Sequence, residues 1–99
     1  DKLVLAFIYL SKDELDKVRD LINSFSDKDF QNLPKKDLLN LYALYYVKLG
    51  YKYLCAKNYR KALEYAYKAE RYKPDLKALT ELKARIYLNM GEYAKALRL

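Results

Sequence analysis

Two stretches of this 99-residue chain read almost alike: Asn58-Tyr59-Arg60-Lys61-Ala62-Leu63 and, 34 residues on, Glu92-Tyr93-Ala94-Lys95-Ala96-Leu97. Setting residues 43–65 against 77–99 superposes Tyr53 on Tyr87, Leu54 on Leu88 and Tyr59 on Tyr93. It also superposes Lys61 on Lys95, Ala62 on Ala96 and Leu63 on Leu97, six identities in 23 positions. A period of this length is that of a helix–turn–helix unit, and one such unit cannot bury its apolar stripes alone. The period therefore predicts an all-α fold in which about six antiparallel helices stack as hairpins.

Composition agrees. With two Gly and two Pro, the chain lacks the turn residues that an all-β fold spends freely. Good helix formers (Lys, Leu, Ala, Glu) fill much of the rest. The apolar fraction of 53% is ample for a core, but 12 of those residues are Tyr. Each brings a large ring and a hydroxyl that needs a partner, so the rings are expected at core edges and groove walls.

One Cys and no His exclude a disulfide framework and any His-based metal site or triad. The sequence shows no paired catalytic carboxylates and no glycine-rich phosphate loop, and Cys55 falls mid-helix with no base nearby. No enzyme, cofactor or metal is expected. The longest apolar run, Leu3 to Leu10, is far short of the roughly 20 residues that span a bilayer. A cytoplasmic location is expected, with a periplasmic or membrane-anchored longer form as the alternative.

Along the chain, Leu3–Leu10 and the amphipathic stretch Leu15, Val18, Leu21, Ile22, Phe25 predict a first helical hairpin. Ser11-Lys12-Asp13-Glu14 has the form of a capping box opening its second helix. A polar connector, Ser26 to Leu33, holds Phe30 and room for a short helical turn. Pro34 is placed to open the next helix, which is predicted over Lys35–Cys55. That helix has more than one apolar stripe, so neighbours must cover several of its sides. Gly50 inside it marks the close approach of one of them. Lys57-Asn58 makes a turn, and a helix over Tyr59–Tyr72 buries Ala62, Leu63, Ala66 and Ala69. Pro74 stops it, and Asp75 is placed to cap a helix running to Asn89 with Leu79, Leu82, Ile86 and Tyr87 inward. Gly91 then turns the chain into a last helix from Tyr93.

These positions together resemble the tetratricopeptide repeat. Tyr46, Leu49-Gly50 and Tyr53 stand where the family has Trp, Leu-Gly and Tyr in its first helix. Tyr59, Ala62, Ala69 and Pro74 match the aromatic, the two alanines and the closing proline of its second helix. One domain over 1–99 is expected, made of a full repeat at 43–76 and a truncated one at 77–99, the latter carried by Ala84, Tyr87, Gly91, Tyr93 and Ala96. Residues 1–42 form a divergent hairpin plus connector. With Leu15 and Val18 in the places of Tyr59 and Ala62, its spacing is 44 residues, the extra ten being the connector.

The resemblance implies a protein-interaction scaffold or adaptor, such as an assembly or secretion-system subunit, holding an amphipathic or partly acidic segment of another protein in a concave groove. It assigns to that groove Leu44, Val47, Lys48, Tyr51 and Leu54 of one repeat and Glu81, Arg85, Leu88 and Asn89 of the next, with Cys55, Ala78 and Leu82 alongside. Some relatives grip a C-terminal carboxylate with Lys and Asn where this chain has Val47 and Tyr51, so that clamp is not expected. The open end at Leu99 is expected to be covered by further sequence, another chain or a second copy. The alternative rests on charge. Of the net +7, residues 1–42 carry −1 and residues 43–99 carry +8. Lys57, Arg60, Lys61, Lys68 and Arg71 interleave with Tyr65, Tyr67 and Tyr72, a pattern that also suits single-stranded nucleic acid.

Overall fold

The computed structural model describes residues 2–92, and these fold into six helices. In order they are α1 (Lys2–Ser11), α2 (Leu15–Asn23), α3 (Asp27–Asn32), α4 (Lys35–Cys55), α5 (Tyr59–Tyr72) and α6 (Lys77–Asn89). The described residues contain no strand. The number of helices is the expected one, but its make-up differs. The connector contributes α3, whereas the helix expected from Tyr93, with Ala96, lies outside the described residues.

α1 pairs with α2, α4 with α5, and α6 lies against both α4 and α5. The first hairpin meets α4 through both of its helices. The molecule measures 45 × 24 × 18 Å. α4 is central because it enters two cores. Its N-terminal half gives Leu38 and Leu41 to a cluster with Leu3, Ala6, Leu10, Val18 and Phe25. Its C-terminal half gives Val47 to a second cluster of Ala62, Ala66, Ala69, Leu79, Leu82 and Ile86. The alanine stripe of α5 is fully buried, which lets α4 and α6 approach closely. A Cβ built on Gly50 would lie 2.5 Å from Leu82 Cδ2 and 3.4 Å from the Ala62 carbonyl oxygen.

Tyrosines seal the α4–α5 seam. Tyr42, Tyr72, Tyr46, Tyr65 and Tyr53 form a ladder alternating between the two helices. Neighbouring ring centres are 5.3 to 6.0 Å apart and the planes lie within 24° of parallel. Lys68 and Lys61 lie over the rings of Tyr65 and Tyr53, at 5.0 and 5.2 Å. No described tyrosine is fully buried, as their hydroxyls require.

Three helices end in the same turn. At the end of α1, the Glu14 N–H donates to the Tyr9 carbonyl (3.0 Å) and the Asp13 N–H to that of Leu10 (3.1 Å). After α4, Asn58 bonds Tyr53 (2.9 Å) and Lys57 bonds Leu54 (3.0 Å). After α6, Glu92 bonds Tyr87 (2.8 Å) and Gly91 bonds Leu88 (3.1 Å). The residue at the bend is left-handed each time, with φ of 58° at Asp13, 62° at Lys57 and 79° at Gly91. This is the Schellman closure of a helix. It follows a Tyr-Leu pair at each place (Tyr9-Leu10, Tyr53-Leu54, Tyr87-Leu88), with intervals of 44 and 34 residues.

Two expectations about helix starts do not hold. Ser11 does not open α2: its hydroxyl donates to the Ile8 carbonyl (2.7 Å) in the last turn of α1. The chain must reverse between Ser11 and Leu15, and that reversal holds Ser11 and Glu14 in different roles. A capping box does form, but at Ser26 and Asp29, where it opens α3. Asp29 also pairs with Lys2 at 3.2 Å. The Ser26 backbone N–H, then Lys2, hold its carboxyl below the ordinary range. Asp75 likewise does not cap α6. Leu76 takes that place and no side chain bonds there.

Candidate partner-binding cleft

α1 has 10 residues and α4 has 21. At 1.5 Å per residue they are about 15 and 31 Å long. α4 therefore outruns the first hairpin, and its last turns run past the α1–α2 corner. A cleft of about 670 Å³ fills the notch. Asp13, Glu14 and Asp16 edge it from the corner, and Lys48 and Lys52 edge it from α4. Leu15, Lys17, Tyr51 and Cys55 complete the lining. The Lys48 ammonium reaches across the mouth to the Asp13 carboxylate at 2.8 Å.

Tyr51 joins this cleft to α6. Burial pushes its phenol above the usual range, against the opposing pull of Arg85, while Glu81 adds to the rise. Lys48 pulls the phenol the same way as Arg85, and more weakly. Four of the sequence-assigned groove residues, Lys48, Tyr51, Glu81 and Arg85, thus come together.

Cys55, assigned alongside them, lines the cleft with Lys48 and Tyr51, whereas the others do not join them. Val47 is 3% exposed and is core, so it offers a partner nothing; the same holds for Leu82. Leu44 packs against the first core and Leu54 and Ala78 against the second. Both faces of α4 have neighbours, and the residues between its two stripes are used up by packing. Leu88 and Asn89 are exposed near the end of α6, where the Asn89 amide donates to the Arg85 carbonyl at 2.7 Å.

The sequence reading missed the whole acidic edge, because it drew the groove from residues 43–99 alone. Two signals could have found it. Tyr9-Leu10 marks the first hairpin as equivalent to the later ones, and Asp13-Glu14 then falls at the turn that Lys57-Asn58 makes after α4.

The basic, Tyr-rich set has a different geometry from a base-stacking platform. Tyr65 and Tyr72 present their faces to other tyrosines, and Lys61 and Lys68 cover ring faces. Tyr67 is exposed, but its hydroxyl meets that of Tyr87 at 3.1 Å and Lys83 lies 5.4 Å from its ring centre. The Tyr67 hydrogen bond, then burial, push the Tyr87 phenol up to about 12.

Exposed apolar side chains gather at Val4, Leu5 and Ile8 of α1, and at Leu88 and Met90. The open end expected at Leu99 lies outside the described residues. Among the described residues, no helix is long and apolar enough to cross a membrane. Compared with protein-family models, with curated proteins and with solved structures, the chain matches none at a significant level.

Proposed function

We propose that this chain is a non-catalytic interaction scaffold of tetratricopeptide type, and that it holds a segment of another protein in the cleft between the α1–α2 corner and the end of α4. The observation that carries the scaffold reading is the turn repeated after Tyr9-Leu10, Tyr53-Leu54 and Tyr87-Leu88. Three helices closed alike, at the two intervals read from the sequence, are what stacked hairpins of one repeat type need. The fit of Gly50 against Ala62 and Leu82 supports it, since the repeat places small residues where helices cross. The cleft beside Tyr51 supports the binding role: a concave, part-apolar surface with convergent polar groups is the form of a recognition site. A helix laid in such a groove by its apolar face is a common way for helical domains to take a partner.

The test is selection of binders from a displayed random-peptide library on the purified domain, followed by titration of the enriched peptides. Tyr51→Phe combined with Arg85→Glu is the informative variant. Tyr51 is half-buried, so the Phe keeps the ring in place and removes only the hydroxyl. The selected peptides are expected to bind this variant at least about tenfold more weakly, about 1.4 kcal/mol, with an unchanged helical circular dichroism spectrum. Undiminished binding would move the site away from Tyr51.

A further inference from the structure

The two edges of the cleft carry opposite charge. Asp13, Glu14 and Asp16 stand on the corner side. Lys48 and Lys52, one helical turn apart, stand on the α4 side. Lys17 also lines the corner and neutralises part of it by pairing with Glu14 at 3.4 Å, and Asp16 meets Arg19 at 3.7 Å, so the three carboxylates outnumber the one lining cation on that side. No ion pair is seen for Lys52 among the described residues. An ion pair that crosses the mouth joins Lys48 and Asp13, whose side chains are 37% and 69% exposed. An exposed pair of that kind contributes little, so an incoming charge displaces it at small cost.

The corner itself is fixed. The Schellman bonds of Asp13 and Glu14 to Leu10 and Tyr9 hold the backbone that presents the carboxylates. The corner backbone is thus shaped by local bonds before anything binds, and pre-set charges favour specificity more than raw affinity. A segment of one sign is repelled by one edge. A nucleic acid, with phosphates along its length, meets the acidic corner.

Shape narrows the occupant further. The cleft takes the place that α1 and α2 would fill if they were as long as α4. Elsewhere α4 is flanked by the helices α1, α2, α5 and α6. Leu15 and Tyr51 offer apolar surface between the charged edges.

We propose that the cleft takes an amphipathic helix of a protein partner whose apolar ridge lies on Leu15 and Tyr51, with a cationic flank toward Asp13 and Asp16 and a carboxylate flank toward Lys48 and Lys52. This rests on the scaffold reading and adds to it the charge pattern of the partner.

The test uses three fluorescein-labelled helical peptides that share one leucine stripe. One has Lys on one flank and Glu on the other, one has Lys on both, and one has Glu on both. Fluorescence anisotropy is read at low and at high salt. The mixed-flank peptide is expected to bind the natural chain at least about tenfold more tightly than either uniform peptide, with the margin shrinking at high salt.

Lys48→Glu with Lys52→Glu makes both edges acidic and is expected to shift preference to the all-Lys peptide. Asp13→Lys with Asp16→Lys is expected to shift it to the all-Glu peptide. Lysine suits the bend at Asp13, since Lys57 occupies the same position after α4 at φ 62°. Equal binding of the three peptides to the natural chain overturns the charge assignment and leaves the scaffold reading standing. Binding by none of them, while library-selected peptides still depend on Tyr51 and Arg85, overturns the helical occupant. If the corner variant unfolds, the Lys48, Lys52 variant alone decides: an unchanged preference overturns the proposal.

Discussion

An added methyl group at Gly50 would sit 2.5 Å from Leu82 Cδ2, and Leu82 is fully buried, so its side chain cannot swing aside. Two effects compete in Gly50→Ala. Helix propensity gains up to about 1 kcal/mol, while overpacking typically costs about 1–3 kcal/mol. The contact is with a buried side chain on another helix, so overpacking wins and thermal unfolding should shift down. Ala62→Leu, from the facing side, should cost about the same. A neutral outcome at both positions would mean that α4, α5 and α6 do not cross here. This crossing was legible in the sequence, because glycine in a helix of otherwise good formers needs a steric reason. Ser11 and Glu14 were misread for a related cause. A serine ending one helix and a glutamate just before the next show the same spacing as a capping box when the turn between them is tight.

At the scale of elements, α4, α5 and α6 lie where periodicity, Pro34 and Pro74 set them. The acidic edge of the cleft was hidden because Asp13 and Glu14 belong to a turn, and a turn leaves no periodicity to read. The Tyr-Leu pair before each bend is the compensating signal, and it is visible only once 44 and 34 are both allowed as intervals. Of the three bends, only the last has glycine. Asp13 and Lys57 hold left-handed backbone that costs a non-glycine residue roughly 1–2 kcal/mol. Lys57→Gly should therefore stabilise the chain, by less than that because glycine also gains freedom in the unfolded state. A rise of about 1 kcal/mol in denaturant unfolding is expected. Gly91→Ala should do the reverse. Nothing lies within 4 Å of a Cβ there, so its effect is conformational and carries no steric term. If Lys57→Gly destabilises, the lysine side chain, and not the backbone, holds the turn.

For the whole molecule, the consequence of two cores strung on one helix is uneven stability. The first hairpin joins the rest through α4, whereas α4 and α5 lie together along the length of their seam, from Tyr42 and Tyr72 to Tyr53 and Tyr65. Detaching α1 and α2 exposes only the first core, and such partial openings are the ones hydrogen exchange detects. Leu41→Ala removes a fully buried side chain from that core, at about 2–5 kcal/mol. Amide exchange in α1 and α2 should then rise while α5 and α6 stay close to the natural chain. Ile86→Ala, in the second core, should open α6 and leave α1 and α2 protected. Equal loss everywhere from either substitution would show one cooperative unit. The cleft lies between the less firmly held hairpin and α4. A helix bound there touches both, and whatever binds only the closed arrangement stabilises it by mass action. Exchange in α1 and α2 should therefore slow on adding the mixed-flank peptide, and more so in Leu41→Ala than in the natural chain. Slowing confined to α5 and α6 would place the peptide on another surface.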